Sequence, residues 1–108
     1  MLYDQAIQVK SCVIESLFSF KPELNKWHEK PYILTRQFCE GAIQNLFEPV
    51  LKDIKEQELK ERGEHKWHYT TPETARAKED CQRLIKIFKA CKTTLRENPN
   101  YRIQFKFI

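Results

Sequence analysis

The sequence predicts a mainly α fold: three long helices in a compact bundle, the middle one kinked at Pro49, with a minor two-strand extended component near residues 65–70 and 100–108. Three observations predict it. Apolar residues recur at helical spacing through three long segments. Only two glycines occur in 108 residues, and no Gly/Ser-rich stretch interrupts those segments. The last eight residues, by contrast, alternate at period two. A chain this short builds a single core, so residues 1–108 read as one helical domain with a C-terminal extended tail over 100–108.

The first segment, residues 3–18, has Ala6, Ile7, Val9, Val13, Ile14, Leu17 and Phe18 on one half of a helical circumference. Asp4, Gln8, Ser11 and Glu15 occupy the other half. Pro22 ends this helix, because proline brings no amide hydrogen to the preceding turn. Residues 21–30 form a polar connector punctuated by Leu24 and Trp27.

Pro31 suits the first position of the second helix, where its fixed φ is already helical. From Tyr32 onward Ile33, Leu34, Phe38, Cys39, Ala42, Ile43, Leu46, Phe47, Val50, Leu51 and Ile54 cover more than half the circumference, as in a central helix. The ring of Pro49 clashes with the carbonyl four residues back, which predicts the kink. Residues 52–62 alternate in charge as a solvated end, and Gly63 suits a left-handed cap. Trp67 and Tyr69 then alternate with Lys66 and His68, an extended pattern.

Thr71-Pro72-Glu73 carries three start signals for the last helix: an N-cap side chain, a proline in the first turn, and a negative charge at the positive end. Ala77, Cys81, Leu84, Ile87, Phe88, Cys91 and Leu95 form its core stripe. The tail that follows has no other strand of comparable strength to receive it, apart from residues 66–70 as a parallel neighbour. A two-stranded ribbon is marginal in water, so a second copy or a partner edge is expected.

Composition excludes several classes. No apolar run approaches the roughly 18–20 residues of a membrane span, and no basic segment followed by an apolar one marks a secretory leader. Cys12, Cys39, Cys81 and Cys91 form no Cys-x-x-Cys pair and lie in helical patterns, as free thiols of an intracellular protein, cytoplasmic or nuclear. His65 and His68, three apart, lack the companion spacing of a zinc site, so neither metal nor cofactor is expected. Gly-rich phosphate loops, G-x-S-x-G elbows and His-Glu-x-x-His are absent, and a role other than catalysis is expected.

The functional expectation is a small interaction, adaptor or assembly protein. It would self-associate or take a protein partner, with Tyr101, Ile103, Phe105 and Phe107 as a docking tail. The alternative is a nucleic-acid module for RNA or single strands. Arg83, Lys86, Lys89, Lys92, Arg96, Arg102 and Lys106, against the single acid Glu97, give residues 83–106 a charge of +6 where the whole chain has +4. Tyr101, Phe105 and Phe107 would supply stacking surface, and an acidic protein would suit the same charges. Finally, Arg62 and His68 stand in an Arg-x5-His spacing that resembles the Arg-x4–6-His element of the helical HEPN ribonucleases. That resemblance implies a phosphate-holding arginine and a proton-moving histidine at a dimer interface. Gly63 stands here where that family has a polar residue after the arginine.

Overall fold

The computed structural model describes residues 3–28, 30–64 and 70–108, and its fold is mainly helical with a small mixed sheet. In chain order the strand β1 (Gln5–Val9) leads through a 3-10 segment (Ser11–Ile14) into the short helix α1 (Glu15–Phe20). A second 3-10 segment (Pro22–His28) precedes β2 (Tyr32–Leu34). Helix α2 (Arg36–Ala42), a π-helical segment (Ile43–Phe47) and α3 (Glu48–Glu64) follow one another without a break. Helix α4 (Pro72–Glu97) and β3 (Ile103–Phe107) complete the chain.

The last helix forms as its signals dictate. Thr71 is extended and its hydroxyl accepts the Thr74 amide, so the first free N–H groups find a partner. Ala77, Cys81, Leu84, Phe88, Cys91 and Leu95 are buried, Ile87 is half-buried, and Thr74, Asp80 and Ile85 widen the stripe. Residues 36–64 run antiparallel to α4. Glu40 meets Lys92, the Phe47 ring stacks on Phe88, and Glu61 accepts the Thr74 hydroxyl. Pro49 is the second residue of α3. In a regular α-helix its ring would strike the carbonyl of residue 45, and the wider π turn covers that stretch.

Three expectations need correcting. The first long helix is not one: its N-terminal third is β1, and only Glu15–Phe20 is α-helical. Five residues are too few to separate a period of 2 from one of 3.6: Ile7 and Val9 have a strand's spacing, and only the width of the half-circumference assigned to the helix admits both. The second helix starts at Arg36, behind the N-cap Thr35, because Tyr32–Leu34 is spent on β2. Gly63 does not cap α3 but is a helical residue within Glu48–Glu64.

The most consequential difference concerns the tail. Strand β3 is the centre of a three-stranded sheet ordered β1-β3-β2, parallel to β1 and antiparallel to β2. Gln5 stands opposite Ile103 and Val9 opposite Phe107, while Tyr32 stands opposite Phe105. The Ile108 amide continues the ladder to the Val9 carbonyl at 2.9 Å. The receiving strands thus come from the same chain. The pair expected between residues 66–70 and the tail involves residues 65–69, which lie outside the described residues.

One face of the sheet carries the core. Ile103, Phe105 and Phe107 are buried, and the rings of Phe47, Phe88, Phe105, Phe107 and Phe18 form a chain with neighbouring centroids 5.0–5.3 Å apart. The other face, with Ala6, Gln8, Ile33, Gln104 and Lys106, has no covering element among the described residues; Gln104 is half-buried and the rest are exposed.

Candidate functional site

The basic residues of α4 do not make one continuous surface. Arg83 pairs with Asp80 at 3.8 Å, and Lys92 with Glu40 of α2 at 3.4 Å. Lys89 and Lys92 border a shallow cleft whose opposite wall carries Glu40 and Glu48, so acids of the neighbouring rod answer them. Lys86 is exposed on the outer face of the helix, within about 20° of Glu79 and Glu97 in the helical projection. The charges are dispersed.

At one end of the molecule they converge. A groove of about 670 Å³ opens where the end of α4, the start of α2 and the approach to β3 meet. Arg96 enters it from the last turn of α4, where the helix dipole favours a cation. Arg102 enters from the segment leading into β3, and Arg36 from the first residue of α2. Leu34 and Leu95 give the lining buried apolar residues, with Ile33, Pro99 and Tyr101 beside them. Among the described residues, no acid lines the groove.

The backbone around the groove is held by hydrogen bonds. The Tyr101 amide donates to the Asn98 carbonyl at 2.9 Å, closing the turn through Pro99 and Asn100. The Arg102 amide donates to the Asp4 carboxylate at 2.8 Å, and the Arg102 carbonyl accepts the amides of Asp4 and Gln5. The Tyr101 hydroxyl reaches Gln5 Oε1 at 3.4 Å. Among the described residues, Arg36, Arg96 and Arg102 take part in no ion pair. Asp4 and Glu97 line a neighbouring cleft that shares Pro99, Asn100 and Tyr101.

No family model matches the chain, and neither a curated protein nor a solved structure is significantly similar to it. The site therefore stands on its own geometry.

Arg96 and Arg102 belong to the basic set expected from the sequence, whereas Arg36 does not. Sixty residues of chain separate Arg36 from Arg96, so charge clustering along the sequence passes over it. One local signal does mark it. It follows the cap residue Thr35, in a first turn without acids, where the positive end of the helix disfavours a cation.

The other expected site residues lie elsewhere. Of the proposed docking tail, Ile103, Phe105 and Phe107 are inside the core, and only Tyr101 reaches the groove. Phe105 and Phe107, at 0% and 3% exposed, therefore offer no stacking surface in the folded chain. Lys106 is exposed on the outer sheet face. Arg62 donates through Nε to the Thr70 hydroxyl at 3.2 Å and lies 3.8 Å from Glu58, while His65 and His68 fall outside the described residues.

Burial sets the chemistry of the thiols. It pushes Cys39 up to about 12, with nearby Cys91 adding to it and Lys92 opposing, and it pushes Cys81 up to about 11. Burial raises Cys91 as well, while Cys12 is exposed. Thiols so protonated are poor nucleophiles; Cys81 instead donates to the Phe47 carbonyl at 3.3 Å. Asp80 is raised by burial, against the opposing pull of the Leu17 amide and Arg83. Its carboxylate accepts that amide at 3.3 Å, which ties α4 to α1.

Proposed function

We propose that the protein binds nucleic acid, as single-stranded RNA, by gripping the phosphate backbone in the groove of Arg36, Arg96 and Arg102. The observation that supports it is the convergence of Arg36 with Arg96 and Arg102, some sixty residues further along the chain, on one groove, with none of the three in an ion pair among the described residues. Guanidinium is planar and presents paired N–H donors that match phosphate oxygens. A strand rises about 3.3 Å per residue, so Lys106 lies about 13 Å along β3 from Arg102 and extends the positive track up the open sheet face. Tyr101 adds one half-buried aromatic surface for a base. An adaptor working through its C-terminal tail has less support, because the aromatic side chains it needs are committed to the core.

The test is a fluorescence-anisotropy titration with an unstructured single-stranded RNA. Three to four phosphate contacts imply a log–log salt slope of about −2 to −3. Arg96→Glu with Arg102→Glu should weaken binding at least tenfold, while Lys55→Glu on the solvated face of α3 should leave it within about twofold. Absence of binding, salt-independent binding, or equal losses from both substitutions would each sink the proposal.

A further inference from the structure

Arg36, Arg96 and Arg102 surround one concavity instead of following a line, and this arrangement suits a different phosphate from the one inside a strand. An internal phosphodiester carries a single negative charge. A terminal monoester carries about −1.5 to −2 at neutral pH, with three accepting oxygens. Three arginines around one opening, none of them in an ion pair among the described residues, match the second better than the first.

Two further observations point the same way. Arg36 is held in the first turn of a helix, with no acid in that turn and no ion partner among the described residues, where the field of the helix works against it. A bound dianion would compensate that unfavourable position. The polar groups of the rim also retain hydrogen-bonding capacity. The Thr35 hydroxyl accepts the Phe38 amide at 3.0 Å, which leaves its own proton to donate, and the Asn100 side chain has no hydrogen bond among the described residues.

The groove has room for a nucleotide. About 670 Å³ lies within the range of small-ligand sites, and the half-buried Tyr101 ring stands in the same wall as Asn100 and Arg102. A base stacked on Tyr101 would leave its phosphate toward the arginines, with the rest of the strand leaving toward Gln104 and Lys106 on the outer sheet face. We infer that the groove is an end-recognition pocket for the terminal phosphate monoester of a single-stranded nucleic acid, a specificity that presupposes nucleic-acid binding by the same groove.

The experiment compares one RNA sequence in three forms: phosphorylated at the 5′ end, phosphorylated at the 3′ end, and with hydroxyls at both ends. Anisotropy titrations of the full chain should show at least tenfold tighter binding of one phosphorylated form over the hydroxyl form, and the preferred form names the end. In Arg36→Ala and in Arg36→Gln the ratio should fall toward one. Arg36 is exposed, so an unchanged circular-dichroism melt will show that both variants fold. Equal binding of all three forms by the unaltered protein overturns end recognition while leaving backbone binding in place. A preference that survives both Arg36 variants overturns it too. Binding of none of the three overturns nucleic-acid recognition itself.

Discussion

Glu61 shows how much one side chain does for the far end of the helical hairpin. It is buried near the end of α3 and makes no ion pair among the described residues. Its oxygens accept the Thr71 amide at 3.0 Å, the Thr74 hydroxyl at 2.6 Å, the Gln57 amide at 3.1 Å and the Thr71 hydroxyl. Burial pushes its pKa upward, but the bonds from Thr74, Thr71 and Gln57 outweigh burial and bring it down from 4.5 to about 2. An acid whose folded value is depressed stabilises the fold above its unfolded value and loses that contribution as pH falls from about 4.5 to about 2. Glu61→Gln should therefore lower stability by about 1–3 kcal/mol at pH 7, with the gap closing toward pH 2. Asp80 acts in the opposite sense, since burial raises it. The difference between the two chains in urea unfolding, followed across pH, isolates Glu61. A gap that stays constant from pH 7 to pH 2 would remove the carboxylate from the account.

Among the elements, β3 carries the most. It pairs on both sides, and Ile103, Phe105 and Phe107 project into the ring chain that joins α1, α4 and the π segment. Phe105→Ala should cost about 3–5 kcal/mol, a large fraction of what holds a domain of this size. Lys106→Ala, one residue on but facing outward, should change stability by less than about 0.5 kcal/mol. Denaturant melts followed by circular dichroism compare the two directly, and similar small losses would make β3 peripheral. The strand was legible in the sequence as a strand, from the alternation of Ile103, Phe105 and Phe107. Its partners were not. Gln5–Val9 runs into α1 with no glycine or proline between them, and the joined apolar pattern imitates one helix. Tyr32–Leu34 is three residues long, and Pro31 before it imitates a helix start. Both strands exist because β3 lies between them, and their local sequences carry little of that fact.

As a whole the molecule is elongated, 55 × 24 × 17 Å, with a radius of gyration of 15.5 Å. A compact chain of this length would have about 13 Å. The excess belongs to the hairpin of α3 and α4, where among the described residues the buried apolar ones stop at Ile54 and Ala77 and the buried groups beyond them are Glu61 and Thr74. Stability should be graded accordingly. In native-state hydrogen exchange, amides of residues 84–95 and 103–107 should open only with the whole molecule, and those of 57–64 and 72–76 at lower free energy. Uniform protection along α4 would contradict this. No helix among the described residues is long and apolar enough to cross a membrane. The groove lies at the sheet end, built on β2, β3 and the close of α4.

What the sequence determined by itself is α4, with its Thr71 cap, its end at Glu97 and all but the edges of its buried stripe, together with the helical character of α3 and the period of β3. The reason is range: helix bonds join residues four apart, and caps and stripes are written within the segment that uses them. Tertiary structure alone decided the sheet order, the reception of the tail inside the chain, and the company of Arg36 with Arg96 and Arg102. The Arg102 amide is held by Asp4 across 98 residues, and no local pattern encodes a bond of that span. A positive stripe on one helix was visible in the sequence. A positive groove exists because three separate segments fold to one place.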